Sequence, residues 1–355
     1  EVSKTLFPEG LEKTTQAIRD AGMVPGLWFE IETVGSAARA YRNTEHLLQK
    51  DGAMLTSYFR RFWDMRDPWG QEYLTDKVIG TLNKYGFGYM KIDYNETIGM
   101  GCDGAESLGE GLRQNMEAAA AFIEKVKREV PGIVLENCSS GGHRLEPGLM
   151  GRMSMASFSD AHECPEIPII AANLHRLIHP AQSQIWAVIR QEDSIKRIVY
   201  SVANTFLGRM CISGDVTELS AEQWRAIDSG IAFYHKIAPV IKNGISFRFG
   251  PKIKSVRHPK GWQGMVRVGR EEGAYVTLHT FGGELPDAIE IPLPEGCPEN
   301  MAEVYAAGVY TAAELRIEDH VLRYRPRENW EAVAVRLGGS LEPEEIGRAS
   351  WRERV

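Results

Sequence analysis

One apolar run in this chain gives way to polar residues at alternate positions. The run Tyr85–Met90 has the composition of a buried strand, and Lys91, Asp93 and Asn95 follow it. Because side chains alternate between the two faces of a strand, these three point to the same side. Charged groups at a strand end are costly to bury unless they are paired or used, and in barrels of parallel strands that end carries the catalytic residues. We therefore predict a functional site here, with a salt-bridged strand end as the alternative.

Strand and helix patterns alternate from residue 9 to about residue 243, which predicts a parallel sheet with crossover helices. The seven strand candidates are Val24–Phe29, Ser57–Met65, the run that ends at Asp93, Ile133–Leu135, Met153–Phe158, Gln184–Val188 and Arg209–Ser213. They begin after a helix, so we expect a (β/α)8 TIM barrel over residues 1–243 with its first strand missing. A doubly wound sheet is the alternative, but no glycine-rich phosphate fingerprint follows any strand candidate.

The pattern changes after residue 243. Short alternating apolar runs separated by Gly, Pro and Asn turns predict a small antiparallel β-sandwich over residues 244–340. Residues 341–355 are expected to form a tail, artefactual from residue 346, because the last ten residues resemble a translated adaptor read. Since the chain opens at Glu1 near the start of a helical pattern, we expect an amino-terminally truncated fragment.

Composition excludes several classes of partner. A net charge of −7 without a Lys/Arg cluster argues against nucleic acid, and no apolar run approaches the roughly 20 residues of a membrane span. The five cysteines form no CxxC pair, so neither a disulfide framework nor a structural zinc site is expected. We expect a bacterial protein of the cytoplasm; a signal peptide before Glu1 stays open.

Two strand ends supply carboxylates suited to glycoside hydrolysis, which requires such a pair. Asp93 has Lys91 on the same face, and a neighbouring cation keeps a carboxylate ionised, as a nucleophile requires. Asp160 follows the apolar run Ala156–Phe158, where desolvation favours the protonated form that a general acid needs. Trp28 offers an aromatic face for a pyranose, with a core tryptophan as the alternative.

The same strand ends allow a different chemistry. Asp93, Glu136 and Asp160 end three successive strand candidates, and three acidic groups in that arrangement can hold Mg²⁺, as in enolase-like lyases and isomerases. Lys91 or His179 would then serve as the base. A simpler interpretation of Glu136 is a hydrogen-bond acceptor at a strand end.

Four segments carry a more specific signal. In chain order they are Leu-Trp-Phe-Glu-Ile-Glu-Thr-Val at 27–34, Lys-Ile-Asp-Tyr-Asn at 91–95, Glu-Asn-Cys-Ser-Ser-Gly-Gly-His-Arg at 136–144 and Ser-Asp-Ala-His-Glu at 159–163. They resemble the Trp-Phe-Glu-Pro-Glu-Met-Val, Lys-x-Asp-x-Asn, Glu-Ser-Cys-Ser-Gly-Gly-Gly-x-Arg and Ser-Asp-x-x-Asp motifs of glycoside hydrolase family 36, the melibiase-type α-galactosidases.

This resemblance implies a retaining α-galactosidase that needs no cofactor and no metal, acting on α-galactoside oligosaccharides. The implied catalytic residues are Asp93 as nucleophile and Asp160 as acid/base. The implied sugar-binding residues are Trp28, Arg66, Lys91, Asn95, Cys138, Gly141 and Gly142. Self-association into a homo-oligomer is an option for the full-length form, and no nucleic-acid or membrane partner is expected.

The chain also departs from the family pattern. The Asp-Asp-Gly-Trp motif of the first barrel strand is not in this sequence, Ser157 stands where a tryptophan often precedes Ser-Asp, and Ile31 replaces a proline. A galactosyl transferase, an α-N-acetylgalactosaminidase and an inactive sugar-binding fragment therefore remain alternatives beside the magnesium enzyme.

Overall fold

The computed structural model describes residues 2–161 and 164–338. The chain divides into two compact units, Glu1–Phe158 and Ser159–Val355. Across the part of the chain that the structure describes, no helix has both the length and the apolar character needed to cross a membrane.

The first unit is built on a parallel sheet. The strands of the first unit are β1 (Gly26–Phe29), β2 (Thr33–Gly35), β3 (Gln49–Lys50), β4 (Ala53–Met54), β5 (Thr56–Ser57), β6 (Arg60–Phe62), β7 (Tyr89–Ile92), β8 (Val134–Asn137) and β9 (Met155–Ser157). Strands β1, β7, β8 and β9 pair in that order, all in parallel. Parallel pairing aligns their carboxyl ends along one edge of the sheet.

Helices of the first unit cross between these strands. They are α1 (Leu11–Asp20), α2 (Pro68–Leu74), α3 (Gly80–Tyr85), α4 (Leu108–Glu129), α5 (Ser139–Gly142) and α6 (Pro147–Met150). A π-turn at Thr75–Ile79 joins α2 to α3, and Ser107 caps α4 by accepting a hydrogen bond from the amide of Glu110. The core lies where sheet residues such as Met90 meet helix residues such as Phe122.

One strand prediction is wrong. The run Ser57–Met65 does not enter the parallel sheet; β5 and β6 form a hairpin, and β6 pairs antiparallel with β2. The chain reverses at Tyr58, whose φ is 46°. Composition favoured a strand, but the reversal splits the run into two short strands of a small antiparallel sheet.

The second unit combines parallel and antiparallel pairing. Its helices are α7 (Ile167–Leu174), α8 (Ile195–Thr205) and α9 (Ala221–Asn243). Its strands are β10 (Ser183–Ile189), β11 (Arg209–Gly214), β12 (Ile245–Phe249), β13 (Trp262–Val268), β14 (Ala274–Thr280), β15 (Ile289–Pro292), β16 (Met301–Ala306), β17 (Leu315–Glu318), β18 (Val321–Tyr324) and β19 (Ala332–Leu337). Strands β10 and β11 are parallel. The later strands form a five-stranded sheet in the order β12-β13-β14-β19-β16 and a three-stranded sheet, β15-β18-β17.

The coarse fold prediction is thus confirmed: parallel strands with helices precede antiparallel sheets. An apolar core with Val276 from the larger antiparallel sheet and Leu322 from the smaller one fits the predicted sandwich. The predicted boundary near residue 243 stays a prediction, and the predicted tail 341–355 lies outside the described residues.

Candidate functional site

The carboxyl edge of the parallel sheet in the first unit holds most of the predicted site. The ladder continues one residue past each strand: the amide of Asp93 donates to the carbonyl of Phe29 at 2.8 Å, and the amide of Cys138 donates to that of Ile92 at 2.8 Å. These bonds fix Asp93 and Cys138 side by side at neighbouring strand ends.

Asp93 is buried and surrounded by donors. Its Oδ1 accepts from the amides of Tyr94 at 2.8 Å and Ser140 at 2.9 Å, and its Oδ2 accepts from Trp28 Nε1 at 3.2 Å. Burial alone would raise the pKa of Asp93, but these bonds, together with the nearby side-chain amide of Asn95, hold it below its ordinary value. The carboxylate is therefore kept ionised by hydrogen bonds.

The Ser140 amide reaches Asp93 because the chain after β8 turns through left-handed conformations. Ser139, Ser140 and Gly141 have φ values of 48°, 54° and 71°. Gly142, at φ +105°, lies so close to β9 that a Cβ would meet the carbonyl oxygen of Phe158 at 2.7 Å. The structure thus brings the predicted residues Gly141 and Gly142 into the loop that supplies a donor to the nucleophile candidate.

Cys138 occupies the start of this loop. Burial raises the pKa of its thiol to about 11, and the neighbouring Lys91 and the Gly141 amide only partly oppose this. A raised pKa favours the neutral thiol, which is a poor nucleophile. Its place beside Asp93 agrees with a role in lining the site.

Lys91 has a different partner from the one expected. In the sheet register Lys91 lies directly opposite Glu136, and its Nζ is 3.2 Å from Glu136 Oε1 and 3.5 Å from Ser157 Oγ. The register directs the ammonium to β8, so the ion pair of Lys91 is with Glu136, and Asp93 makes a smaller contribution to the raised pKa of Lys91. That Lys91 keeps Asp93 ionised stays a prediction, and the hydrogen-bond donors around Asp93 act in the same direction.

The carboxylate of Glu136 is already bound by three donor side chains. The side chain is 3% exposed, and besides Lys91 it accepts hydrogen bonds from the hydroxyls of Tyr89 and Ser157. Carboxylate oxygens held by an ammonium and two hydroxyls are unsuited to ligating a cation. Within residues 2–161 and 164–338, no group of three His, Cys, Asp or Glu side chains could hold a metal ion. The hydrogen-bond-acceptor interpretation of Glu136 is the one that the geometry supports.

Two residues at this edge, Glu30 and Arg60, were given no role by sequence reasoning. Glu30 Oε1 accepts from the amide of Asn95 at 3.1 Å and from its Nδ2 at 2.7 Å, and Oε2 accepts from Arg60 Nε at 3.0 Å. Glu30 thereby orients the predicted residue Asn95. The role of Glu30 could have been predicted, because Glu30 directly follows β1. The role of Arg60 could not, because its segment was predicted to be a barrel strand.

Arg66 lies in a separate set of contacts. Its guanidinium bonds to Asp64 at 2.7 Å and to the carbonyl of Asp103 at 2.8 Å, and the Asp64 carboxylate raises the pKa of Arg66 even though burial opposes this. None of these partners donates to or accepts from Asp93. Its predicted place in the pocket lining stays a prediction.

Asp160 belongs to the second unit, and its side chain is exposed. The apolar surroundings expected from Ala156–Phe158 are not found, because β9 ends at Ser157 and exposure rises from the buried Phe158 to the exposed Asp160. Ser159 Oγ accepts from the amide of Ala161 at 3.0 Å. The catalytic role of Asp160 stays a prediction; Glu163, the last residue of its motif, is outside the described residues.

Comparison with curated proteins finds α-galactosidases. This chain is 22% identical to α-galactosidase AgaA of Geobacillus stearothermophilus over 91% of this chain and 45% of that protein. It is 22% identical to α-galactosidase 1 of Pediococcus pentosaceus over 72% of this chain and 36% of that protein. The chain thus spans less than half the length of these relatives.

Solved structures show the same fold. A variant of AgaA from Geobacillus stearothermophilus in complex with raffinose matches 94% of this chain and 47% of its own, with a TM-score of 0.78 at 18% identity. The α-galactosidase of Lactobacillus brevis matches 96% of this chain and 48% of its own, with a TM-score of 0.77 at 18% identity. The melibiase family model matches residues 1–244, which include β1, β7 and β8 with Trp28, Asp93 and Cys138 at their ends. This chain therefore belongs to the melibiase family.

Proposed function

We propose that this chain carries the catalytic centre of a retaining α-galactosidase that removes terminal α-galactose from oligosaccharides. The observation that carries the proposal is the environment of Asp93, a buried carboxylate whose pKa is held low by three hydrogen-bond donors at the carboxyl edge of a parallel sheet. An ionised carboxylate at the mouth of a sugar site is what a glycosyl-forming nucleophile requires. The names of the curated relatives agree with this activity.

The proposed reaction has two displacements. In the first, a carboxylate oxygen of Asp93 forms a bond to the anomeric carbon, the glycosidic bond breaks, and Asp160 gives its proton to the leaving oxygen. In the second, Asp160 takes a proton from water, the water oxygen bonds to the anomeric carbon, and the bond to Asp93 breaks. Two inversions leave the product with the α configuration of the substrate.

The remaining site residues would bind the sugar. Lys91 and Asn95 carry donors fixed by Glu136 and Glu30, and pre-oriented donors lose little entropy when a hydroxyl binds. Trp28, with half of its surface exposed, offers its ring as a wall. We assign Cys138, Gly141 and Gly142 to the region of the 2-hydroxyl, and Arg66 to the pocket lining.

We also propose the finer architecture. The strand–helix units of residues 1–243 are segments of a (β/α)8 barrel, and residues 244–340 form a β-sandwich. The carboxyl ends of barrel strands are where catalytic residues gather, which agrees with the positions of Trp28, Asp93 and Cys138. The TM-score of 0.78 over 94% of the chain supports this.

The test follows the anomer that is released first. The protein is mixed with an aryl α-galactoside, and NMR spectra are recorded before mutarotation. We expect α-galactose first, and we expect 5-fluoro-α-galactosyl fluoride to label a peptide at Asp93. First release of β-galactose, labelling of another residue, or no turnover of any α-galactoside would overturn the proposal.

A further inference from the structure

Two exposed aromatic side chains form the tip of the hairpin between β5 and β6. Tyr58 is 83% exposed and the adjacent Phe59 is 72% exposed. Tyr58 has a φ of 46°, a left-handed conformation that non-glycine residues rarely adopt and that concentrates at functional sites. Single exposed aromatics are common on protein surfaces, but two neighbours on a strained turn call for a reason.

The tip is held firmly at its base. The amide of Ser36 donates to the carbonyl of Phe59 at 2.9 Å, and Ser57 Oγ donates to Glu96 Oε2 at 2.7 Å. Arg60 Nη1 lies 3.7 Å from Glu96 Oε1. Bonds on both sides of the turn fix its backbone, so little backbone freedom is lost when a ligand packs on the two rings.

The hairpin is tied directly to the residues around Asp93. Arg60, next to Phe59, donates to Glu30, and Glu30 in turn accepts from Asn95. Asn95 lies two residues after Asp93 and helps to keep the pKa of Asp93 low. Two contacts through Glu30 thus connect the residue beside the tip to Asn95, which places the aromatic pair at the rim of the proposed sugar site.

We propose that Tyr58 and Phe59 form the binding site for the leaving-group sugar, the ring on the far side of the bond that is cleaved. This inference rests on the proposed function. An aromatic face packs against the C–H face of a pyranose or furanose ring. Glu96 and Arg60, at the base of the tip, supply an acceptor and a donor for that ring's hydroxyls. The pair therefore selects galactosides with a sugar as leaving group over those with a small one.

The test compares two substrates on the same protein. Raffinose presents a sugar leaving group, and α-galactosyl fluoride presents none. In the double variant Tyr58→Ala/Phe59→Ala, the ratio of kcat/KM for raffinose to kcat/KM for the fluoride should fall about tenfold, as expected for the loss of two aromatic contacts. The aromatic variant Phe59→Tyr should keep the wild-type ratio. Leu6→Ala, which removes an apolar side chain that is 74% exposed, is the matched control.

The alternatives give distinct results. A ratio unchanged within about twofold, or an equal loss on both substrates, would overturn the inference. A ratio that stays constant while light scattering shows a loss of self-association would assign the tip to an interface between copies and also overturn it. A wild-type protein that cleaves neither substrate would refute the proposed function itself, and the binding site with it.

Discussion

Lys91 Nζ lies 3.2 Å from Glu136 Oε1 on the neighbouring strand. The two residues are Cα partners in the parallel register, so their side chains share one face of the sheet. Burial alone would lower the pKa of Lys91, but the Glu136 carboxylate outweighs it and raises the pKa above the ordinary value of 10.5. The ion pair therefore stabilises the folded state as long as Lys91 is protonated in both states.

We expect Glu136→Gln to destabilise the protein by about 2–3 kcal/mol between pH 7 and 9, because it leaves a half-buried ammonium without its carboxylate. Since the folded-state pKa of Lys91 is raised, this contribution is complete below the unfolded value of 10.5 and is lost as the pH rises through the folded-state value. Urea unfolding at a series of pH values measures the difference from wild type.

The control for this variant is Glu117→Gln, which breaks an ion pair with Arg113 on the exposed face of α4. Exposed ion pairs between residues four positions apart on a helix contribute little to the free energy of unfolding, so no measurable change in stability is expected. A loss in Glu136→Gln that is the same at pH 8 and at pH 11 would contradict the assignment of the effect to the Lys91 charge.

Trp28→Phe tests how Asp93 is kept ionised. The change keeps an aromatic ring but removes the indole donor 3.2 Å from Asp93 Oδ2. Because that bond lowers the pKa of Asp93, its loss raises the pKa, and the acidic limb of the kcat/KM profile should move to higher pH. The plateau should fall about two- to tenfold, the effect of one neutral or charge-assisted hydrogen bond.

Trp69→Phe is the control, since Trp69 is also partly exposed but stacks on His46 and Tyr73, away from Asp93. Its acidic limb should coincide with that of wild type. An acidic limb that stays in place in Trp28→Phe would mean that the indole contributes nothing to the ionisation of Asp93.

The sequence alone located the strand ends but not the contacts between strands. Alternation correctly placed Lys91 and Asp93 at one strand end, because the period of a strand is a local property. The partner of Lys91 depends on the register with β8, which no single strand specifies. Sequence reasoning therefore placed Lys91 beside Asp93 but did not predict its ion pair with Glu136.

The backbone donors to Asp93 could not be predicted from the sequence either. The amide of Ser140 approaches Asp93 only because Ser139 and Ser140 adopt left-handed conformations, and serine carries no signal for them. The hairpin at Tyr58 was not predicted for a related reason. A composition rich in aromatic residues predicts an extended chain but not a reversal within it. The family motifs identified the candidate site residues, but the contacts that orient these side chains could be found only in the three-dimensional structure.

The roles of the two carboxylates can be separated with azide. In Asp160→Gly, substrates with an activated leaving group still react with Asp93, and the glycosyl-enzyme accumulates because water lacks its base. Azide needs no base, so it should restore turnover by attacking the β-linked galactosyl-Asp93 intermediate from the α face, and the product is α-galactosyl azide. In Asp93→Gly, azide should displace the leaving group directly from the opposite face, and the product is β-galactosyl azide.

The two variants then differ in kinetics as well as in product. Asp160→Gly should show a burst of released aryl alcohol followed by slow turnover, and Asp93→Gly should show no burst, because no intermediate forms. Stopped-flow absorbance measures the burst, and NMR identifies the azide product. A burst in Asp93→Gly, or none in Asp160→Gly, would contradict the assigned roles.

Gly142→Ala probes the loop that holds Asp93. Gly142 has a φ of +105°, and an added Cβ would lie 2.7 Å from the carbonyl oxygen and 2.9 Å from the carbonyl carbon of Phe158. Backbone atoms cannot move aside as a flexible side chain can, so we expect a loss of about 2–4 kcal/mol in stability. Where the protein stays folded, the strain should shift the loop and weaken the Ser140 amide bond to Asp93.

Gly109→Ala is the matched control within the same unit. Gly109 lies in the first turn of α4 with ordinary backbone angles and nothing within 4 Å of an added Cβ. Alanine there should leave stability unchanged or raise it by up to about 1 kcal/mol, because glycine is the poorer helix former. Thermal unfolding measures the stability of both variants, and kcat/KM measures the effect on the loop around Asp93. If Gly142→Ala matched Gly109→Ala in both measurements, the close packing of the loop against β9 would not be what holds the Ser140 amide on Asp93.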